Sequence, residues 1–235
     1  LGYCSMNEDI YGIKKWGNDI LEILENGNIG LKNPFQRDNP PTDLIKIIKS
    51  LNERGISCPV LLRVTDYLAF RIKQINNSFF EAIKEIGYKG DYKGVFPVKV
   101  NQQAQVIDRI VEFGKEFDFG LEVGSKPELL IALAHDLSSN STIICNGIKD
   151  REFIHLAILS LKIGFKTILV LESPRELDLI IEISKELNVR PLLGIRVKLT
   201  NKVSGNWSQS SGDRSAFGLS VEQAVSYTHL RAHET

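Results

Sequence analysis

Along most of the chain, short apolar runs alternate with amphipathic stretches. Strand-like runs lie at residues 60–64, 95–98, 117–121, 142–145, 167–171 and 192–197. Between them apolar residues recur at helical spacing, as in Val106, Ile107, Ile110 and Val111, or Leu177, Ile180, Ile181 and Leu187. A long helix is expected over 67–86, and a shorter one where Leu44, Ile47, Ile48 and Leu51 share a face. Near-continuous apolar strands separated by helices are what a parallel sheet covered by helices requires, so the predicted class is α/β.

Punctuation sharpens this outline. Ser125-Lys126-Pro127-Glu128 and Ser173-Pro174-Arg175-Glu176 both have the Ser-x-x-Glu spacing of a capping box. There the hydroxyl and the carboxylate satisfy N–H groups left unpaired by the first turn. Pro174 falls at the first helical position, where its missing N–H costs nothing. Nearer the N-terminus, Asn26-Gly27 between two short apolar-bearing runs predicts a hairpin, and Pro34, Pro40 and Pro41 mark a linker. The expected domains are a hairpin-and-linker segment over 1–42 and a parallel (β/α) domain over 43–225. The polar stretch 226–235, which holds His229 and His233, has neither helical nor strand period and is read as a non-native tail.

An open doubly wound sheet and a closed (β/α)8 barrel share this alternation. A dinucleotide-binding sheet needs G-x-G-x-x-G directly after a strand, and the chain has none, which favours the barrel. Composition narrows the partner. Lys plus Arg equal Asp plus Glu at 29 each, so there is no basic surplus to attract nucleic acid or an acidic membrane, and a small molecule is the better fit. Cys4, Cys58 and Cys145 are widely separated and odd in number, as suits a reducing cytoplasm. No apolar run approaches the ~20 residues of a membrane span, and the N-terminus lacks the order of a signal peptide.

Barrel enzymes draw their catalytic groups from the carboxyl ends of the strands. The polar residues there are Lys99, Glu122, Asn146, Glu172 and Arg196. Taken singly, such residues more often meet solvent or cap the next helix. Ser173 accounts for the chemistry beside Glu172, and Asn146-Gly147 is turn chemistry by itself. Lys99 stands apart. It follows the apolar run Gly94-Val95-Phe96-Pro97-Val98, in which Pro97 goes against the exclusion of proline from central strands. A lysine held out of water has a lowered pKa, and its neutral amine can attack a carbonyl. The bland alternative is a lysine that snorkels to solvent.

The segment Gly90-Asp91-Tyr92-Lys93-Gly94-Val95-Phe96-Pro97-Val98-Lys99-Val100-Asn101-Gln102-Gln103 resembles the cofactor-lysine segment of biosynthetic arginine decarboxylases. Four more stretches match that family in order: Gly120 to Lys126, Cys145 to Glu152, Leu193-Gly194-Ile195-Arg196, and Ser204-Gly205-Asn206-Trp207 through Ser210-Ser211-Gly212 to Phe217-Gly218-Leu219. Tyr11-Gly12-Ile13 and Trp16-Gly17-Asn18 resemble its N-terminal segment, so the similarity runs from about Tyr11 to Val225.

The resemblance implies an alanine racemase-like fold. This is a partial (β/α)8 TIM-like barrel that binds pyridoxal 5'-phosphate, with an N-terminal β segment and with the C-terminal β domain missing. It implies that Lys99 holds the cofactor as a Schiff base and that Glu122, Asn146 and Arg196 surround it, Arg196 as a ring-facing donor. The 204–214 loop would lie over the active-site mouth. The implied reaction is decarboxylation of L-arginine to agmatine, for polyamine synthesis, in a homo-oligomer associated with Mg2+. Five of eight barrel strands are expected here, so the fragment is expected to be inactive alone. The runner-up readings are an ornithine or diaminopimelate decarboxylase of the same barrel, and a regulator that binds the cofactor without turnover.

Overall fold

A computed structural model of the chain describes residues 10–198 and 217–232. The Ser204–Gly212 motif and Cys4 lie outside the described residues. By compactness the chain divides into two units, one ending at Ile75 and the other beginning at Asn76.

In the first unit a short helix α1 (Ile13–Trp16) precedes strands β1 (Leu21–Ile23), β2 (Ile29–Leu31) and β3 (Thr42–Asp43). The expected hairpin is present, with Leu21 opposite Leu31 and Gly27 at φ 82°, a left-handed turn position suited to glycine. β3 adds antiparallel to β2 and is too short to leave a period in the sequence. Its last residue, Asp43, caps helix α2 (Leu44–Glu53) by accepting Ile45 N–H at 2.9 Å and Lys46 N–H at 3.4 Å. The other carboxylate oxygen accepts the side-chain amides of Asn28 at 2.9 Å and Asn26 at 3.1 Å. These bonds, that of Asn28 foremost, hold the Asp43 carboxyl below the usual carboxylate range.

Residues 60–64, expected as a strand, form none. Among the described residues no ladder partner lies alongside, and Leu61 is 74% exposed. An apolar run has the composition of a strand but becomes one only when another strand takes its hydrogen bonds. Helix α3 (Thr65–Ile86) follows and matches the long helix expected over 67–86.

The second unit is built on strands β4 (Val95–Pro97), β5 (Gly120–Val123), β6 (Thr142–Cys145), β7 (Lys166–Leu171) and β8 (Leu192–Ile195). All are parallel, and each pairs with the next in chain order. Helices α4 (Ala104–Gly114), α5 (Lys126–Leu133), α6 (Arg151–Lys162) and α7 (Pro174–Leu187) connect them. A doubly wound sheet reverses its strand order partway. This order never reverses, so the five βα units advance as in a (β/α)8 barrel.

The side-chain alternation agrees. Leu121, Val123, Ile143, Cys145, Leu169 and Leu171 point to one face and are buried with Ile154, Ile158, Ile180 and Ile183 of the helices. The opposite-face residues Ile144, Ile168 and Val170 are half-buried.

Element ends depart from expectation in instructive ways. The 117–121 run divides: residues Lys115–Phe117 form a 3-10 turn, Asp118 takes a left-handed conformation, and the strand starts at Gly120. β8 stops at Ile195, and Val197 makes a single parallel bridge to Leu219. β4 stops at Pro97, the last residue of the strand, which pairs with Glu122 of β5. Helix α8 (Val221–Ala232) runs through most of the polar stretch for which the sequence offers no period. Its start is a reciprocal capping box, with Ser220 Oγ accepting Gln223 N–H at 3.2 Å and Gln223 Oε1 accepting Ser220 N–H at 3.0 Å.

Candidate active site

The carboxyl ends of β4 to β8 share one edge of the sheet, and that edge gathers the polar residues singled out in the sequence. Pro97 pairs with Glu122 across β4 and β5. Val98–Val100 then forms one 3-10 turn packed beside β5, with Val98 fully buried. Lys99 sits on this turn and its side chain is exposed, so the expectation of an amine held out of water is corrected. A 3-10 turn rotates each residue by about 120°, and Val98 takes the inward position, which leaves Lys99 directed away from the core. Three residues on, Gln102 Nε2 donates to Glu128 Oε1 at 3.4 Å and links the lysine segment to the first turn of α5.

Glu122 is buried and accepts the Asn146 amide Nδ2–H at 3.0 Å. Asn146 N–H continues the ladder to Val123 O at 2.8 Å, so the β5 and β6 ends are joined by both backbone and side chain. The neighbouring Cys145 thiol is buried, and its pKa is pushed up to about 12 by desolvation, which makes it a packing group rather than a nucleophile.

Glu172, which the sequence assigned to helix-start chemistry, is fully buried at the end of β7. Its Oε1 accepts Gly147 N–H at 2.9 Å and Arg196 Nη1–H at 3.1 Å. The Arg196 guanidinium is half-exposed and lies 5.4 Å from the Phe217 ring centre, a cation–π contact. Phe217 is held there because Gly218 N–H donates to Glu172 O at 3.1 Å and Leu219 N–H to Arg196 O at 2.8 Å. Glu122 with Asn146, and Glu172 with Arg196, thus form two adjacent pairs along one edge.

Behind them is a second layer absent from the sequence reading. Lys149 and Glu176 form a buried ion pair at 3.2 Å. Glu176 accepts Lys149 N–H and Glu172 N–H, each at 2.9 Å, instead of reaching back to the helix cap as a capping box would. Ser173 makes no cap bond at all. In the other Ser-x-x-Glu, Ser125 Oγ does accept Glu128 N–H at 3.4 Å, while Glu128 turns to Gly124 N–H at 2.8 Å. Hydropathy expects a Lys and a Glu to be exposed, so the sequence carries no signal for this layer.

This edge fits a cofactor that carries an aldehyde and hydrogen-bonding ring substituents. It offers an accessible primary amine on Lys99, and a guanidinium whose Nε and Nη2 have no partner among the described residues. Among the described residues, no three His, Cys, Asp or Glu side chains gather as a metal site, so none is assigned to the implied Mg2+. No helix of the described residues is long and apolar enough to cross a membrane.

Residues 72–235 match the family described as pyridoxal-dependent decarboxylase, pyridoxal binding domain. The biosynthetic arginine decarboxylase of Prochlorococcus marinus (strain MIT 9312) is 47% identical over 215 residues, which cover 92% of this chain and 33% of that protein. The protein of the same name from Gloeobacter violaceus is 46% identical over 217 residues, covering 92% of this chain and 34% of its own length. The crystal structure of the biosynthetic arginine decarboxylase SpeA from Campylobacter jejuni superposes with a TM-score of 0.80 at 34% identity, over 95% of this chain and 34% of that one. The chain therefore spans about a third of the length of the curated relatives it matches. An accessible lysine past the first strand of a parallel βα array, with this family match over most of the chain, makes it a member of the pyridoxal-dependent decarboxylases.

Proposed function

We propose that this chain is the cofactor-holding part of an enzyme that converts L-arginine to agmatine and CO2, with Lys99 as the lysine that carries pyridoxal phosphate. The observation that carries the reading is the gathering of Lys99, Glu122, Asn146, Glu172 and Arg196 at one sheet edge, in the order of five successive βα units. Arginine as the substrate is supported by the names of the relatives. The bound cofactor supplies an electron sink for the pair left behind when CO2 departs.

The protein's part is orientation. The 3-10 turn fixes the backbone of Lys99 beside β5, so its flexible stem swings from a rigid base. Glu122 holds Asn146, and Glu172 holds one edge of the Arg196 guanidinium, leaving its other N–H groups to meet an acceptor. Phe217 supports Arg196 from one side. Groups fixed in this way lose little freedom when a ligand arrives. On this reading the agmatine formed feeds polyamine synthesis, the separated cysteines suit a reducing cytoplasm, and the family resemblance supports a homo-oligomer for the complete protein.

The test is to incubate the chain with pyridoxal phosphate, reduce it with borohydride and map the adduct by mass spectrometry. The expected adduct is on Lys99, and Lys99→Ala loses it. Stable labelling of another lysine with Lys99 untouched would overturn the assignment. In a protein of the relatives' length, CO2 release from arginine should exceed that from ornithine or diaminopimelate. Faster release from either of these moves the function to the runner-up.

A further inference from the structure

We propose that Lys149 and Glu176 are positioning residues of this site: a buried ion pair that fixes the loops after β6 and β7 and, through Glu172, sets the guanidinium of Arg196. The proposal rests on the reading of Arg196 and Asn146 as cofactor-contacting groups.

Apart from the contact between the two side chains, every bond of the pair ends on backbone at or just beyond the ends of β6 and β7. Lys149 Nζ donates to Gly147 O at 2.6 Å and Val170 O at 2.5 Å as well as meeting Glu176. That uses the three donors of an ammonium. Both oxygens of Glu176 are taken by the N–H groups of Lys149 and Glu172. Glu172 then spends its own carboxylate on Gly147 N–H and Arg196. Gly147 is thereby gripped at both its N–H, by Glu172, and its C=O, by Lys149, and it sits at φ 76° between Asn146 and the pair. The bonds close a ring from Lys149 to Glu176, Glu172, Gly147 and back to Lys149, and Arg196 hangs from one member.

A buried ion pair is a weak source of stability, because desolvation offsets most of its attraction. What this pair supplies is register. Without it the ends of β6 and β7 would keep their ladder but lose the bonds that set the loops beyond it. Neither Lys149 nor Glu176 bonds directly to Lys99, Asn146 or Arg196, so each acts through Glu172 and Gly147.

Glu176→Gln separates this role from bulk stability. The amide keeps the shape but must turn an NH2 toward Lys149 N–H or Glu172 N–H, and it forfeits the ion pair. The expected result is at least tenfold weaker binding of pyridoxal phosphate, together with faster amide exchange at Gly147. Ile154→Val, in the core of α6, lowers the melting temperature while leaving both of these readouts unchanged. Because Glu176 works largely through Glu172, the loss of cofactor binding in E172Q/E176Q should fall well short of the sum of the two single losses. Additive losses, or wild-type affinity in E176Q, would overturn the proposal.

Two measurements on the unsubstituted chain guard the test. The amides of Gly147, Lys149 and Glu172 should exchange through one shared opening under mild denaturant. Three independent openings would sink the proposal even if no variant folds. A chain that takes up no cofactor at Lys99 defeats the functional reading instead, while the exchange data still decide the ring.

Discussion

Glu172 and Arg196 join the ends of adjacent strands in an ion pair of 3.1 Å whose acid is fully buried and whose base is half open to solvent. The asymmetry fixes which partner can be spared. Arg196→Met leaves the buried carboxylate with the Gly147 N–H but without its cation, and should lower unfolding free energy by about 1–3 kcal/mol. Urea denaturation of the two chains measures it. A loss no larger than that of a surface substitution would mean that the pair is not formed in solution.

Gly147→Ala should destabilise for a backbone reason. The residue sits at φ 76°, and a Cβ there would lie 3.0 Å from Gly124 O. Strain of this kind costs about 1–3 kcal/mol. The same substitution should weaken binding of pyridoxal phosphate, because it displaces Asn146 and the grip on Glu172.

Thiol labelling should distinguish two cysteines. Burial pushes the Cys145 thiol up to about 12, so at pH ~8 the thiolate fraction is about one in ten thousand, whereas Cys58 is exposed. Iodoacetamide should modify Cys58 and spare Cys145 in the folded chain, as read by peptide mapping. Equal labelling would contradict the packing of β6.

The first unit should lose stability in acid through Asp43. Its carboxyl is held below the ordinary value in the folded state, so its contribution is complete above the ordinary carboxylate range. It then disappears as pH falls through the depressed folded value. Melting followed between about pH 6 and about pH 3 should drop more steeply for the parent chain than for Asp43→Ala, which is less stable at the upper end. Parallel curves would refute the linkage.

Leu169 lies in the middle of β7 among the buried side chains of the helices and is 1% exposed. Leu169→Ala should cost about 2–5 kcal/mol, by lost burial plus the cavity left behind. A fall in the denaturation midpoint with an unchanged slope would report it.

The alternation of apolar runs made the parallel sheet, the helices and the hairpin legible, because each depends on a period that burial imposes locally. Residues 60–64 misled for the same reason, since apolar composition is local whereas a ladder partner is not. The strand-end rule located Lys99, Glu122, Asn146 and Arg196, and the structure brings Glu122 to Asn146 and adds Glu172 to Arg196. Glu172 was passed over because its neighbour Ser173 offered a sufficient local explanation, yet that hydroxyl makes no cap bond. Lys149 and Glu176 were invisible because nothing in hydropathy marks a charge whose partner lies 27 residues away. The exposure of Lys99 was missed because one 3-10 turn past a strand leaves no periodic trace.

Glu128 and Glu176 both bypass the serine three residues before them and grasp the amide one step earlier, Gly124 in one case and Glu172 in the other. Each helix thus reaches back over its own start and sets where the preceding strand lets go. An engineer grafting new loops onto this scaffold could replace Ser173 cheaply, whereas Ser125 still caps its helix. The two glutamates would have to travel with their strands, because the helix acts as a ruler for the segment that delivers the chemistry.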